Sequence, residues 1–141
     1  MRLVVLDTNV IVSAGIRPDG VPARLIMDWV LDGAVQPVTC PYIVDEYRKV
    51  MRREKFHLFR FPPVWLEFLI DESLQLPDPP PWPYHGADPN DLPFLALAAQ
   101  SGAWLVTGNL KHYPAEIRGK AVALSPAAYL SHLGEKSTPE P

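Results

Sequence analysis

The chain carries a single cysteine, Cys40, in 141 residues, so no internal disulfide can form and Cys40 reads as structural. No CxxC or HxxxH spacing occurs, which removes the usual zinc-ligand patterns. The apolar runs stop at about half a dozen residues, far short of the ~20 that a membrane helix needs. The apolar stretch before Asp7 is too short for the core of a secretion signal. Neither charge dominates: 13 basic and 16 acidic side chains leave a net charge of −3. A cytoplasmic protein with no membrane segment is expected, and one without a general electrostatic pull on nucleic acid.

Two things are abundant. Hydrophobic residues make up 48% of the chain, enough to fill a core and to exclude wholesale disorder. Proline occurs 17 times, with a cluster in PDPPPWP at residues 77–83 that suits neither a helix interior nor a central strand. Basic residues also gather locally, at Arg48, Lys49, Arg52, Arg53, Lys55 and Arg60, with Glu54 the one acid among them.

Periodicity lays out the order of elements. RLVVLD is an apolar run of strand length ending in a carboxylate, as expected of a strand buried on both faces. Residues 21–32 carry a helical stripe through Leu25, Ile26, Trp29 and Val30, with Gly33 as a stop. AVQPVTC reads as a strand, and Pro41 opens a helix predicted over 42–56. A helix over 64–72, an extended SLQL, a helix over 88–102, the strand AWLVTG, the strand KAVALS and a helix over 126–134 complete the pattern. Trp29, Trp65 and Trp104 read as core, and Trp82 in the proline-rich loop as exposed. Alternating strands and helices predict an α/β domain, a mainly parallel sheet between two helical layers, spanning residues 1–133 with a frayed tail at 134–141.

In such sheets ligands sit beyond the carboxyl ends of the strands. That directs attention to Asp7, Thr8 and Asn9 after the first strand, and to Thr107, Gly108 and Asn109 after AWLV. On the helix starting at Pro41, at 100° per residue, Glu46 falls on the border of the apolar stripe while Asp45 faces water. Glu46 can reach over the sheet, or it can pair with Lys49 or Arg53. Asp91 and Asp88 open a helix, where an acid ordinarily serves as an N-cap or as a partner of the helix dipole. His112 reads as a surface-loop residue.

The motifs LDTNV, PYIVDEYRKVM, DPNDLPFLALA and LVTGN, in this order over roughly residues 1–130, resemble a PIN-domain protein. The branch they resemble is that of toxin components of toxin–antitoxin modules. The resemblance implies a Rossmann-like α/β/α sandwich and a Mg²⁺- or Mn²⁺-dependent ribonuclease. It also implies a homodimer or higher assembly, often with a small antitoxin partner. Carried over by position, the acids of the family match Asp7, Glu46 and Asp91, and Asn9 matches the residue that orients the first aspartate. The fourth acid is replaced by Asn109, which brings no negative charge. Asp88 is a candidate to supply it.

Clustered carboxylates suit a hard divalent cation, which would activate a water for attack on an RNA phosphodiester. Lys49 and Arg53 lie on the flank of Glu46, placed to meet phosphates. Asn109 also supports a second reading, a catalytically weak module that binds RNA or an antitoxin. A haloacid-dehalogenase phosphatase would need Asp-x-Asp where this chain has Asp7-Thr8-Asn9, and a receiver domain would need an acid pair there.

Overall fold

The computed structural model describes residues 2–53, 62–84 and 88–134. Five strands form one sheet: β1 (Arg2–Leu6), β2 (Val35–Thr39), β3 (Leu74–Gln75), β4 (Trp104–Val106) and β5 (Ala123–Leu124). Their spatial order is β3-β2-β1-β4-β5, and each pairing is parallel. Strands β1 and β4 pair Val4 with Trp104, Val5 with Leu105 and Leu6 with Val106. The central β1 is fully enclosed from Val4 to Leu6, as its unbroken apolar run requires. Pro37 lies inside β2, yet β3 pairs only with Val38 and Thr39, so the missing N–H leaves no gap in that short edge ladder.

Helices cover both faces of the sheet to give the three-layer α/β/α sandwich. They are α1 (Thr8–Ile16), α2 (Val21–Arg24), α3 (Pro41–Met51), α4 (Trp65–Glu72), α5 (Leu92–Ser101), α6 (Ala115–Arg118) and α7 (Pro126–His132). Leu25–Val30 continues α2 as a π-helical turn, so the stripe expected of one regular helix is carried by two wound differently. Helix α1 lies in TNVIVSAGI, where β-branched and small residues leave no clear polar face.

The boundaries follow local chemistry. Pro41 occupies the first turn of α3, where its lost N–H has no partner to miss. The helix ends at Met51, short of the expected 56, and residues 54–61 lie outside the described residues. Helix α5 starts at Leu92, not at 88, because Asp88 forms a turn in which its Oδ1 accepts from the Asn90 amide at 2.9 Å. It stops at Gly102, whose φ of 77° is left-handed and favours glycine. Ser125 caps α7 by accepting from the Ala128 amide at 3.1 Å.

Trp29, Trp65 and Trp104 pack against the core, as expected. Trp82 does so too, which corrects the exposed placement expected of it. Its indole N–H donates to the Ile117 carbonyl at 2.7 Å, and Gly119 leaves room for it, since a Cβ there would stand 3.2 Å from the ring. Among the described residues no helix is long and apolar enough to cross a membrane.

Candidate active site at the carboxyl edge of the sheet

From β1 the chain proceeds outward to β2 and β3, then returns across the sheet to β4 and β5 on the other side. The order therefore reverses between β1 and β4, the kind of switch point beyond whose carboxyl ends ligands bind in such sheets. Asp7 and Thr107 are the next residues on the two strands after the Leu6–Val106 pair. The Asp7 amide extends the ladder by donating to the Val106 carbonyl at 2.9 Å. From α3, the buried Tyr47 hydroxyl donates to the Leu6 carbonyl at 2.5 Å and fixes the strand end from below the site.

Asp7 is enclosed, with only 5% of its surface exposed. It stands at the N-terminus of α1 but makes no side-chain cap there. Its Oδ2 instead accepts from Thr107 Oγ1 at 2.8 Å, Tyr113 Oη at 2.9 Å and Asn9 Nδ2 at 3.4 Å. Asn9 is held in turn, because its Oδ1 accepts from the Gly108 amide at 2.8 Å. Glycine at position 108 leaves room for this approach, since a Cβ would stand a tight 3.1 Å from that oxygen. Burial raises the Asp7 carboxyl above its ordinary range, against the hydrogen bonds from Thr107 and Tyr113.

Asp91 behaves in parallel. It is the N-cap residue of α5, yet it too leaves its helix without a side-chain cap. Its Oδ2 lies 3.4 Å from His112 Nδ1. Burial raises its pKa, and the charges of Asp7 and Asp88 add to the rise, opposed by His112. Asp91 is thus free of the cap that pattern assigns to it and feels the charge of Asp7, while Asp7 keeps a hydrogen bond from the Thr8 amide at the start of α1. Tyr113 lies between them: burial and the charges of both Asp7 and Asp91 push its phenol far up, so it remains a protonated donor.

The other expected residues have different surroundings. Glu46 is half-buried on α3, where its charge acts on the Tyr42 hydroxyl and on Lys49. Lys49 itself pairs with Asp45 at 3.1 Å. Arg53 lies just past α3 and is exposed. Asp88 is exposed and engaged in its turn. Asn109 donates its backbone N–H to Thr107 Oγ1 at 3.0 Å, and its side-chain nitrogen meets His112 Nε2 at 2.9 Å.

His112 is exposed on the loop after β4, as expected, and from there it meets both Asp91 and Asn109 at the rim of the site. Tyr113 and Tyr42 were missed altogether. The only sequence signal for Tyr113 was its place four residues after Asn109, and Tyr42 was hidden as a helix-opening aromatic.

The polar groups gathered at this strand end are oxygen-rich: carboxylates of Asp7 and Asp91, the amide of Asn109 and the hydroxyls of Thr107 and Tyr113. Such a set fits Mg²⁺ or Mn²⁺ rather than a soft metal. Beside Asp7, the buried Thr8 hydroxyl has no hydrogen-bond partner, an unmet polar group at the same strand end. Among the described residues, no three His, Cys, Asp or Glu side chains stand close enough to hold an ion by themselves. Two coupled acids completed by water or substrate oxygen fit the reluctance of Mg²⁺ to shed its waters.

A parallel α/β sandwich with oriented acids at the carboxyl edge of its sheet is the class that the fold and site define. The PIN domain family profile matches residues 3–111, and the chain belongs to the PIN-domain family. No curated protein matches the chain. Among solved structures it is similar to VapBC2 from Rickettsia felis bound to a DNA fragment from their promoter, with TM-score 0.62 and 14% identity, covering 87% of this chain and 98% of that one. It is also similar to FitAB bound to an IR36 DNA fragment, with TM-score 0.58 and 17% identity over 87% and 94% of the two chains. FitAcB from Neisseria gonorrhoeae has TM-score 0.55 at 17% identity, over 87% and 97%. At these identities the likeness is one of fold.

Proposed function

We propose that this PIN domain is a divalent-metal-dependent endoribonuclease, the toxin of a toxin–antitoxin pair acting in the cytoplasm. The observation that carries the reading is the buried Asp7 at the switch point, held in one orientation by Thr107, Tyr113 and Asn9, with Asp91 and its partner His112 on the other side of Tyr113. Nuclease activity is the broad character of the family. The fold neighbours VapBC2 and FitAB are toxin–antitoxin complexes, which supports a small antitoxin partner here; a homodimer or higher assembly is part of the proposal through the family resemblance alone.

Asp7 and Asp91 would hold Mg²⁺ or Mn²⁺, with Glu46 and Asp88 adding negative charge at the rim. The ion, when bound, supplies charge neutralisation, an activated water and stabilisation of charge on the phosphate. Thr107, Tyr113 and Asn9 keep Asp7 in one orientation, so that its position is settled before substrate arrives. Asn109 and His112 present polar atoms at the mouth, where Asn109 would orient a water. Arg53, and Lys49 after exchanging Asp45 for a phosphate, would steer the RNA backbone.

The test is cleavage of a mixed RNA pool in Mn²⁺ or Mg²⁺, with EDTA and Asp7→Asn as controls. Loss of cleavage in both controls is the expected result, and cleavage that survives Asp7→Asn overturns the site. A second reading, a weak module that binds RNA or antitoxin, is favoured by one observation: Asn109 stands where a fourth acid would, and its amide is engaged by His112. RNA bound tightly but never shortened, with or without Mn²⁺, would select it.

A further inference from the structure

Beside the acidic site, α3, α5 and the proline-rich segment enclose a groove of about 290 Å³. Tyr42, Trp82, Leu92, Pro80, Pro89 and Ala96 line it. Asp78, its one charged lining residue among those described, accepts from the Tyr42 amide at 2.9 Å through Oδ1. That bond ties the proline-rich segment to the first turn of α3. The Trp82 N–H is likewise committed, to Ile117, so the groove offers aromatic and aliphatic surface rather than free donors.

We infer that this groove is a nucleobase-binding subsite for a nucleotide next to the scissile phosphate. The inference rests on the nuclease reading for that placement, but the stacking chemistry stands apart from it. Tyr42 belongs to both regions. Its ring lines the groove, while its hydroxyl lies 3.4 Å from Asn90 Oδ1 and within the fields of Glu46, Asp88 and Asp91. A nucleotide whose phosphate meets the acidic site would therefore extend its base toward Tyr42 and Trp82.

Charge supports this occupant. The chain's net charge is −3, and two cations of α3 are already paired: Lys49 with Asp45, and Arg48 with Glu67 through two hydrogen bonds. Phosphate attraction then falls to Arg53 and to Lys49 once it leaves Asp45. A planar base on aromatic and proline rings supplies affinity that needs no cation.

The test uses metal-free protein in EDTA, with adenosine 5′-monophosphate as the probe and ribose 5-phosphate as the base-free control. The Trp82 indole N–H resonance, assigned with Trp82→Phe, should shift saturably with the nucleotide and not with the sugar phosphate. Tyr42→Ala should weaken the nucleotide by about tenfold, and Tyr42→Phe, which keeps the ring, should restore it. No shift with the nucleotide, an equal shift with ribose 5-phosphate, or an unchanged affinity in Tyr42→Ala overturns the subsite. A saturable shift in a protein that cleaves no RNA retains the subsite and overturns the nuclease reading. Cleavage with no nucleotide response does the reverse.

Discussion

The Tyr113 hydroxyl donates to Asp7 Oδ2 across 2.9 Å, joining residues 106 positions apart in the chain. Both side chains are buried, and the phenol is held protonated by burial and by the charge it faces. Asp7 thus has a permanent donor whose direction is set by the loop that follows β4.

Tyr113→Phe removes that donor and keeps the ring. Hydrogen bonds to charged acceptors are worth about 1.5–3 kcal/mol, so a loss of about 2 kcal/mol is expected in urea unfolding at neutral pH. The same change in an Asp7→Asn background should be smaller. Equal losses in both backgrounds would mean that Tyr113 acts only by filling space.

The pH dependence without metal has a definite sign. Asp7 and Asp91 are both raised above the ordinary 3.8, so the folded state binds more protons than the unfolded one between that value and the raised pKa values. Stability should rise as pH falls through this window, and decline toward neutrality. Glu67, lowered by Arg48, works the other way, but the pair is exposed and screened and contributes little. Urea midpoints in EDTA at neutral and mildly acid pH measure the slope, and Asp7→Asn should flatten it.

Gly108→Ala places a Cβ against Asn9 Oδ1 and disturbs the amide bond between them. Overpacking of this kind costs about 1–3 kcal/mol. Thermal melts should reveal it, and Asn9→Ala in the same chain should relieve part of the loss. No relief would place the strain elsewhere.

Asn109→Asp restores a negative charge at the rim. Titration of Mn²⁺ by calorimetry should give tighter binding than in the parent chain. Metal-free, the variant should be less stable at neutral pH because three acids then share the site. Unchanged Mn²⁺ affinity would place residue 109 outside the ion's reach.

Much of the fold was legible because its signals are local. RLVVL announced a strand buried on both faces, Pro41 opened α3, and Gly102 closed α5. Helix α1 was illegible because Val10, Ile11 and Val12 read equally well as strand, and only the strand end at Asp7 turns them into a helix. The family pattern singled out Asp7 and Asp91 as candidates, whereas position alone made Asp7 a turn residue after a strand and Asp91 an N-cap. Tyr113, His112 and Tyr42 were not legible, because their roles arise from contacts across loops that no spacing in the chain encodes. Trp82 was misplaced for the same reason: its partner Ile117 lies 35 positions away.

The loop after β4 has a consequence for motion. Between Thr107 and Tyr113 its amides are held by the loop's own atoms and by Asn9: Gly108 on Asn9 Oδ1, Asn109 on Thr107 Oγ1, His112 on the Asn109 carbonyl and Tyr113 on the Leu110 carbonyl. At its far end, Arg118 Nε donates to the Tyr113 carbonyl. The segment is thereby clamped to β1 on one side and to α6 on the other, and its parts hold one another closed. Opening it requires releasing these clamps together, so the loop moves as a cooperative latch rather than fraying residue by residue.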